Sequence, residues 1–165
     1  MDFKKSINMS LTDVYDRHSD MLFRIALTHT SCREDAEDAC QDVFIKFSQL
    51  NKSFIDDEHI KSWLIRTCIN RCHDISRYHK IRNHLDIDDI RDIIADDDMA
   101  KEYLSLNEAL RELPSKYKDI IILHYYEGYS LEECSRLLKI SLSNSKMRLM
   151  RAREMMKIKI EKEDR

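Results

Sequence analysis

Glycine and proline are almost missing from this chain of 165 residues, which contains one of each, Gly128 and Pro114. Tight β-hairpins depend on Asn-Gly, Asp-Gly or similar dipeptides, so the shortage disfavours a fold rich in hairpins. It also excludes glycine-rich phosphate-binding loops, because such loops need several glycines within one turn. Abundant leucine, isoleucine, lysine, glutamate and methionine favour helices. The composition therefore predicts an all-α fold.

Long apolar runs are also missing from the sequence. No stretch of about eighteen apolar residues exists, so we expect no membrane insertion. The N-terminus lacks the continuous apolar segment of a secretory signal, which favours a cytoplasmic location. Five cysteines make an odd number without the spacing of a disulfide framework. We therefore expect reduced thiols in the cytosol.

The net charge of -3 hides an uneven distribution of charge along the chain. Residues 59–84 carry six lysines and arginines against one acid, and residues 141–165 carry eight against four. Between these two basic blocks, residues 85–99 hold seven aspartates and one arginine. Two basic segments that flank an acidic one are typical of two nucleic-acid contacts joined by a linker.

Helical spacing of apolar residues predicts three helices in the N-terminal half. The first begins at a cap on Ser10 or Thr12 and runs to about His29, and a capping box of Ser31 and Glu34 opens the second. The third begins near Glu58. The predicted inner positions of the three helices are Leu11, Val14, Tyr15, Leu22, Ile25 and Ala26; Ala36, Ala39, Cys40, Val43, Phe47 and Leu50; and Ile60, Trp63, Leu64, Cys68, Cys72 and Ile75.

The C-terminal half contains the signature of a helix-turn-helix. Pro114 is placed to begin a helix that runs to Tyr126 and stops at Gly128. A second capping box, Ser130 and Glu133, opens a short helix that ends near residue 138. Residues 139–141 form a tight turn, after which Ser141 caps a final helix to about residue 160. Such a pair of helices can place its second member in the DNA major groove.

Enzymatic and metal-binding functions find little support in the sequence. Cys68, Cys72 and His73 are close together, but no second Cys/His pair lies at zinc spacing, so we interpret these thiols as core residues. A helical hydrolase would need a compact cluster of acids and histidines, for example His84, Asp88 and Asp92. We predict no catalytic residue, no metal and no cofactor.

Three sequence blocks together resemble the extracytoplasmic-function (ECF) family of RNA polymerase sigma factors. The first block, residues 35–44, resembles the family's polymerase-binding pattern DAED-x-x-Q-[DE]-x-F. The second is Trp63-Leu64-Ile65-Arg66 followed by Asn70, which resembles the helix that opens the minus-ten element. The third comprises residues 110–114, 126–133 and 146–153 and is similar to the family's reader of the minus-thirty-five element. The likeness covers residues 11–160 in the correct order.

The resemblance implies three sets of functional residues. Core polymerase is expected to bind an acidic helix face, formed by Asp35, Asp38, Gln41 and Asp42. The minus-ten region of promoter DNA is expected to contact Arg66, Asn70, Arg71, His73, Asp74 and Arg77. The minus-thirty-five region is expected to contact Asn144, Lys146, Met147, Arg148 and Arg151. Residues 54–58 resemble the pocket for an unstacked base, and an anti-sigma factor is a typical partner of the family.

The second DNA reader departs from the family pattern at three positions. Lys139 replaces the usual glycine of the turn, where a left-handed conformation carries a steric cost for any other residue. Ser145 replaces a buried valine, and Asn144 replaces threonine. These changes bear on the stability and the sequence preference of the unit.

The predicted organisation is two small helical domains joined by an acidic linker. Residues 1–84 form a sigma region 2-like domain, residues 85–99 the linker, and residues 100–165 a sigma region 4-like domain. The linker is either a solvated connector or an anionic segment that mimics nucleic acid in the RNA channel of the polymerase. The alternative function is a conventional helix-turn-helix regulator whose N-terminal half senses a ligand or dimerises.

Overall fold

The computed structural model describes residues 9–30, 32–82 and 108–163, with side chains as far as Lys157. All regular elements in these ranges are helices, as the composition predicts. The chain divides into two compact units, with the division between Tyr78 and His79. The predicted linker, most of the helix expected from residue 100, and His84, Asp88 and Asp92 lie outside the described residues. None of the described helices combines the length and apolar character that a membrane span requires.

The first unit consists of three helices. They are α1 (Leu11–His29), α2 (Arg33–Ser48) and α3 (Asp57–Arg82). Ser10 caps α1, where its hydroxyl accepts a hydrogen bond from the Asp13 backbone N–H at 3.1 Å. The predicted capping box of α2 depends on Ser31, which lies outside the described residues. Cys32 precedes the first helical residue of α2 and makes no side-chain capping hydrogen bond.

The interior of the first unit is formed by small and branched apolar residues from all three helices. Ala36 and Ala39 are fully buried, and their small side chains allow α1 to lie close against α2. On α3, the predicted inner residues Ile60, Leu64 and Cys68 are buried. Ile65 and Ile69 are buried beside them. The other fully buried residues are Val14, Leu22, Ile25, Ala26, Val43 and Cys72.

Several predicted inner positions of the first unit are partly solvent-exposed. Leu11 and Tyr15 are 43% and 53% exposed, because they lie at the edge of the α1–α2 contact. Trp63 and Cys40 are only half-buried. The apolar stripes were predicted on the correct faces of the helices, but residues at their edges are partly exposed. A helix that is covered on one side by two neighbours buries only the centre of its apolar face.

The second unit contains the predicted helix-turn-helix. Its elements are α4 (Ser115–Ile121), a π-helical turn (Ile122–Tyr126), α5 (Leu131–Leu138) and α6 (Leu142–Glu163), preceded by helical residues at 108–112. Gly128 has a positive φ of 74° and ends the first segment, as predicted. The capping box is also confirmed. The Ser130 backbone N–H donates to the Glu133 carboxylate at 2.7 Å, and the Glu133 N–H donates to the Ser130 hydroxyl.

The turn between α5 and α6 is left-handed at Lys139, which has φ 54° and ψ 46°. The Ile140 backbone N–H donates to the Ser135 carbonyl oxygen at 3.0 Å, which closes the end of α5. Ser141 then caps α6, because its hydroxyl accepts from the Asn144 N–H at 3.1 Å. Lys139 therefore adopts a left-handed conformation at the position where glycine is usual in the family that the sequence resembles.

Replacing Lys139 with glycine is expected to stabilise the second unit by about 0.5–1 kcal/mol, because it relieves the steric cost of the left-handed backbone. For a unit of this size the melting temperature rises by a few degrees in a thermal unfolding experiment. Lys146→Gly is the matched control. Since Lys146 lies inside α6, glycine there lowers stability by about 1 kcal/mol. An unchanged or lower melting temperature for Lys139→Gly contradicts the prediction.

Candidate protein and nucleic-acid interfaces

The predicted polymerase-binding residues lie along one side of α2. Asp38 and Gln41 are exposed, whereas Asp35 and Asp42 are half-buried. Beneath them, Phe44 is buried and packs against Tyr15 of α1 with ring centroids 4.9 Å apart. The acidic face is thus presented by a helix whose opposite side is held in the unit, so it can contact another protein without rearrangement.

Asp42 forms an ion pair with Arg71 that the sequence did not reveal. The Arg71 Nε lies 2.5 Å from the Asp42 carboxylate, and the pair joins α2 to α3. The sequence assigned these two residues to different interfaces. Their pairing depends on the register between two helices, which no local pattern encodes. Arg71 therefore serves the contact between helices in this structure, in addition to any role towards DNA.

The outer face of α3 brings the predicted minus-ten residues together. Asn70, Asp74 and Arg77 are exposed, and Arg66 and His73 are half-buried. Arg77 pairs with Asp74 one turn earlier, which holds the guanidinium along the helix surface. Asn70 is exposed, and its amide makes no side-chain hydrogen bond within the described residues. This amide has the chemistry needed to read a base edge.

An aromatic cluster anchors the loop that precedes α3. Phe54 is 5% exposed and stacks on Phe47 with centroids 5.5 Å apart. It also meets the edges of His59 and Trp63, at 5.2 and 6.3 Å. Trp63 therefore packs its ring against Phe47 and Phe54 at the border of the core. Sequence analysis missed the cluster, because Phe54 stands alone in a polar loop without periodicity.

Polar contacts fix the other end of the same loop at the start of α3. The Asp56 carboxylate accepts a hydrogen bond from the His59 backbone N–H at 2.7 Å, as an N-cap residue does. The neighbouring Asp57 carboxylate lies 3.1 Å from Nε2 of the buried His18 on α1. Between these anchors, the Ile55 side chain is 42% exposed. The loop is thus anchored on both sides of Ile55, whose own backbone N–H lies 3.4 Å from the His59 Nδ1, while the Ile55 side chain faces solvent.

The predicted minus-thirty-five residues cluster at the start of α6. Lys146 and Met147 are exposed, and Asn144 and Arg148 are half-buried. The Arg148 Nε donates to the Asn144 side-chain oxygen at 3.1 Å, so these two residues form one polar unit on the helix surface. The turn at Lys139 and the cap at Ser141 fix where this helix begins, and so fix which side chains its first two turns present.

Two tyrosines of the second unit lie beside arginines of α6. The Arg151 guanidinium lies beside the Tyr117 hydroxyl and lowers the pKa of that phenol, since it favours the phenolate. The Arg153 Nε donates to the Tyr125 hydroxyl at 2.6 Å. Tyr125 lies in the π-helical turn, an irregularity that often marks functional positions. No sequence signal predicted the π-turn. Because the π-turn interrupts the regular helix, it changes the direction in which Tyr125 projects.

Ser145 is fully buried in α6, and its hydroxyl has no hydrogen-bond partner among the described residues. Burial of a hydroxyl without a partner costs free energy, because the group loses its hydrogen bonds to water. This burial gives a structural reason to expect that serine in place of the family's valine at position 145 lowers the stability of the second unit.

Replacing Ser145 with alanine is expected to raise the free energy of unfolding by about 1 kcal/mol, since the orphaned hydroxyl is removed and alanine is the better helix former. Chemical denaturation followed by circular dichroism measures the change. Ser143→Ala is the matched control, because Ser143 is exposed on the same helix and gains helix propensity alone. Equal stabilisation by the two substitutions counts against a cost of burial at Ser145.

Comparison with known proteins agrees with this arrangement. The family model of Sigma-70 region 2 matches residues 14–82, and that of Sigma-70 region 4 matches residues 103–156. The RNA polymerase sigma factor SigV of Bacillus subtilis is 29% identical over 161 residues, covering 98% of this chain and 97% of the relative. The ECF RNA polymerase sigma factor SigM of Mycobacterium tuberculosis is 28% identical over 140 residues, covering 85% of this chain and 71% of the relative.

The chain belongs to the ECF sigma factors. It is an alternative sigma factor, which directs transcription initiation, and sigma factors as a class are not enzymes. Its fold matches that of the sigma factor RpoE from Bartonella quintana, which was solved in complex with the anti-sigma factor NepR. The TM-score is 0.68 at 20% sequence identity, and the match covers 91% of this chain and 96% of RpoE. CnrH, solved with the cytosolic domain of CnrY, gives the same TM-score with 22% identity and coverage of 92% and 87%.

Proposed function

We propose that this sigma factor docks on core RNA polymerase through the acidic face of α2. Asp38 and Gln41 are its exposed centre, and Asp35 and Asp42 flank them. Carboxylates on a rigid helix attract a basic partner surface and fix its register, which raises the association rate. The partner surface that we propose from the family resemblance is formed by the clamp helices of the largest polymerase subunit. The Asp42–Arg71 pair couples this face to the DNA-facing helix, so that both are positioned together.

The outer face of α3 is proposed to contact the minus-ten element. Asn70 is the base-reading residue, Arg66 and Arg77 neutralise phosphates, and His73 and Asp74 border the path. An unstacked base needs a pocket that is already formed, because extrusion costs a few kcal/mol. The loop between Phe54 and the start of α3 is proposed to contribute to that pocket, since Phe54 and Asp56 anchor it while the Ile55 side chain is exposed.

The second unit is proposed to read the minus-thirty-five element with the start of α6. Lys146 and Met147 project into the major groove, while Asn144 and Arg148 act as one hydrogen-bonded pair. Arg151, which lies beside Tyr117, contacts a phosphate. A guanidinium that is held in place before DNA arrives loses less conformational entropy on binding. The left-handed turn at Lys139 supports this function, because it sets the direction of α6 relative to α5.

The remaining features follow from the same proposal. A domain of residues 1–84 and one of residues 100–165 contact separate parts of one promoter, and residues 85–99 connect them. The protein acts in the cytoplasm beside the polymerase, and an anti-sigma factor that covers both DNA-facing surfaces would hold it inactive. The chemistry of RNA synthesis stays with the polymerase, so the sigma factor needs neither cofactor nor catalytic residue.

The observation that carries this function is the presence of three separate surfaces of the required chemistry on a chain that matches sigma regions 2 and 4. Pull-down and run-off transcription with purified core polymerase test it. We expect binding to core, weak duplex binding by the sigma factor alone, and promoter-dependent transcripts only when both are present. Failure to bind core overturns the proposal, and tight duplex binding without polymerase favours the helix-turn-helix regulator instead.

A further inference from the structure

The first helix buries a polar side chain that contacts the loop of the proposed base pocket. His18 is 5% exposed and lies on the inner face of α1, in line with the fully buried Val14 and Leu22. Its Nε2 lies 3.1 Å from the carboxylate of Asp57, the first residue of α3. An ionised carboxylate only accepts hydrogen bonds, so Nε2 carries the hydrogen and the imidazole donates. His18 therefore connects the core of the unit to the point where the loop enters α3.

This hydrogen bond contributes little to stability. The Asp57 side chain is 42% exposed, so its carboxylate keeps much of its hydration whether or not His18 is present. Burial of an imidazole among apolar side chains costs free energy, and a leucine in the same place would bury apolar surface without that cost. A polar group inside a core can instead specify how the elements that it joins are arranged. The elements joined here are α1 and the loop before α3.

The loop is supported by two different helices at its two ends. At one end Phe54 stacks on Phe47 of α2, with ring centroids 5.5 Å apart. At the other end Asp57 is bound by His18 of α1. Arg17, also on α1, adds a weaker contact, since its guanidinium is exposed and lies 3.9 Å from the same Asp57 oxygen. His18 is thus the buried polar support on the α1 side of the loop.

We propose that His18 is a positioning residue for promoter opening, which holds the loop of residues 54–58 through Asp57 so that the loop can receive an unstacked base. This inference rests on the proposed minus-ten function of the loop. Because His18 is buried, it acts through Asp57 rather than by touching DNA. A loop that is fixed before the base arrives loses less conformational entropy when the base binds. Loss of the hydrogen bond therefore weakens the capture of the base while the fold persists.

Two variants at position 18 test the role of the hydrogen bond. His18→Leu removes the donor and keeps an apolar side chain in the core, whereas the amide nitrogen of His18→Gln can still donate to the carboxylate. Holoenzyme is assembled from each full-length variant, and opening of the promoter used for run-off transcription is followed by the permanganate reactivity of unpaired thymines. We expect His18→Leu to slow opening by about fivefold, the scale of one net hydrogen bond, at unchanged affinity for core polymerase. His18→Gln restores most of the rate.

A double-mutant cycle tests whether His18 acts through Asp57. Asp57→Ala is expected to slow opening as well, and addition of His18→Leu to that variant is expected to slow it no further, because the same contact cannot be lost twice. Additive effects of the two substitutions overturn the proposal. Met21→Leu is the matched control, since it changes a neighbouring buried position of α1 at nearly constant volume. We expect this control to open the promoter at the rate of the unaltered protein.

The outcomes distinguish this inference from the proposed function. An unaltered protein that neither binds core polymerase nor opens a promoter overturns both. If the unaltered protein opens its promoter, then equal opening by His18→Leu, joint loss of core binding and opening, or failure of His18→Gln to restore the rate overturns the inference alone. If His18→Leu does not fold, the partly exposed Asp57 decides the matter. Asp57→Asn keeps an oxygen that accepts from His18 and is expected to open faster than Asp57→Ala, and equal rates overturn the inference.

Discussion

Replacing Asp38 with arginine is expected to weaken the binding of this sigma factor to core RNA polymerase by roughly thirtyfold. The substitution removes a carboxylate from the centre of the exposed α2 face and introduces a charge of the same sign as the proposed partner surface. Placing like charges opposite each other costs about 2 kcal/mol or more at a partly desolvated contact, which corresponds to that change in Kd. Fluorescence anisotropy of labelled sigma factor, titrated with core polymerase, measures it.

Asp16→Arg is the matched control for this prediction. Asp16 is exposed on α1, outside the proposed face, and the substitution changes the net charge by the same amount. Both variants are expected to retain the far-ultraviolet circular dichroism and melting temperature of the unaltered protein, because neither side chain is buried. Equal loss of binding in both variants shows that net charge alone controls association, and normal binding by Asp38→Arg removes α2 from the interface.

Replacing Phe54 with alanine is expected to destabilise the first unit by about 3–5 kcal/mol. The ring is buried and in contact with Phe47, His59 and Trp63, so its removal leaves a cavity beneath the loop. Such a loss is a large fraction of the free energy of unfolding of a small domain. Urea unfolding can be followed through Trp63, the one tryptophan of the chain and a direct neighbour of Phe54.

The adjacent residue supplies the control for the loop. Ile55 is 42% exposed, so Ile55→Ala is expected to change the unfolding free energy by less than about 1 kcal/mol. At temperatures where both variants remain folded, Phe54→Ala is also expected to lose promoter opening more than core binding, since the loop is no longer held. A Phe54→Ala protein as stable as Ile55→Ala shows that the aromatic cluster does not anchor the loop.

Local signals in the sequence were sufficient for most of the helix boundaries. Ser10, Gly128, and the capping box of Ser130 and Glu133 act within a few residues of themselves, and the structure confirms each of them. The capping box expected at Ser31 and Glu34 stays a prediction, because Ser31 lies outside the described residues. Local chemistry thus located the described helices well.

The candidate functional surfaces also combine features that the sequence predicted with contacts that it did not. Helical periodicity placed Asp38, Gln41, Asn70 and Arg77 on outward faces, and the structure finds all of them exposed. It could not show that Arg71 pairs with Asp42, or that Tyr117 lies beside Arg151. These contacts depend on distances between helices that are far apart in sequence. The assignment of the exposed residues to polymerase and promoter stays a prediction, which the experiments above test.

By itself, the sequence determined an all-α sigma factor with a helix-turn-helix, because capping, turn chemistry and a period of 3.6 residues are local properties that the chain carries wherever it folds. Only the tertiary structure decided which distant residues meet: Phe54 against Trp63, and Asp42 against Arg71. Their meeting depends on the register and distance between packed helices, which close packing of the whole core sets and no short segment encodes.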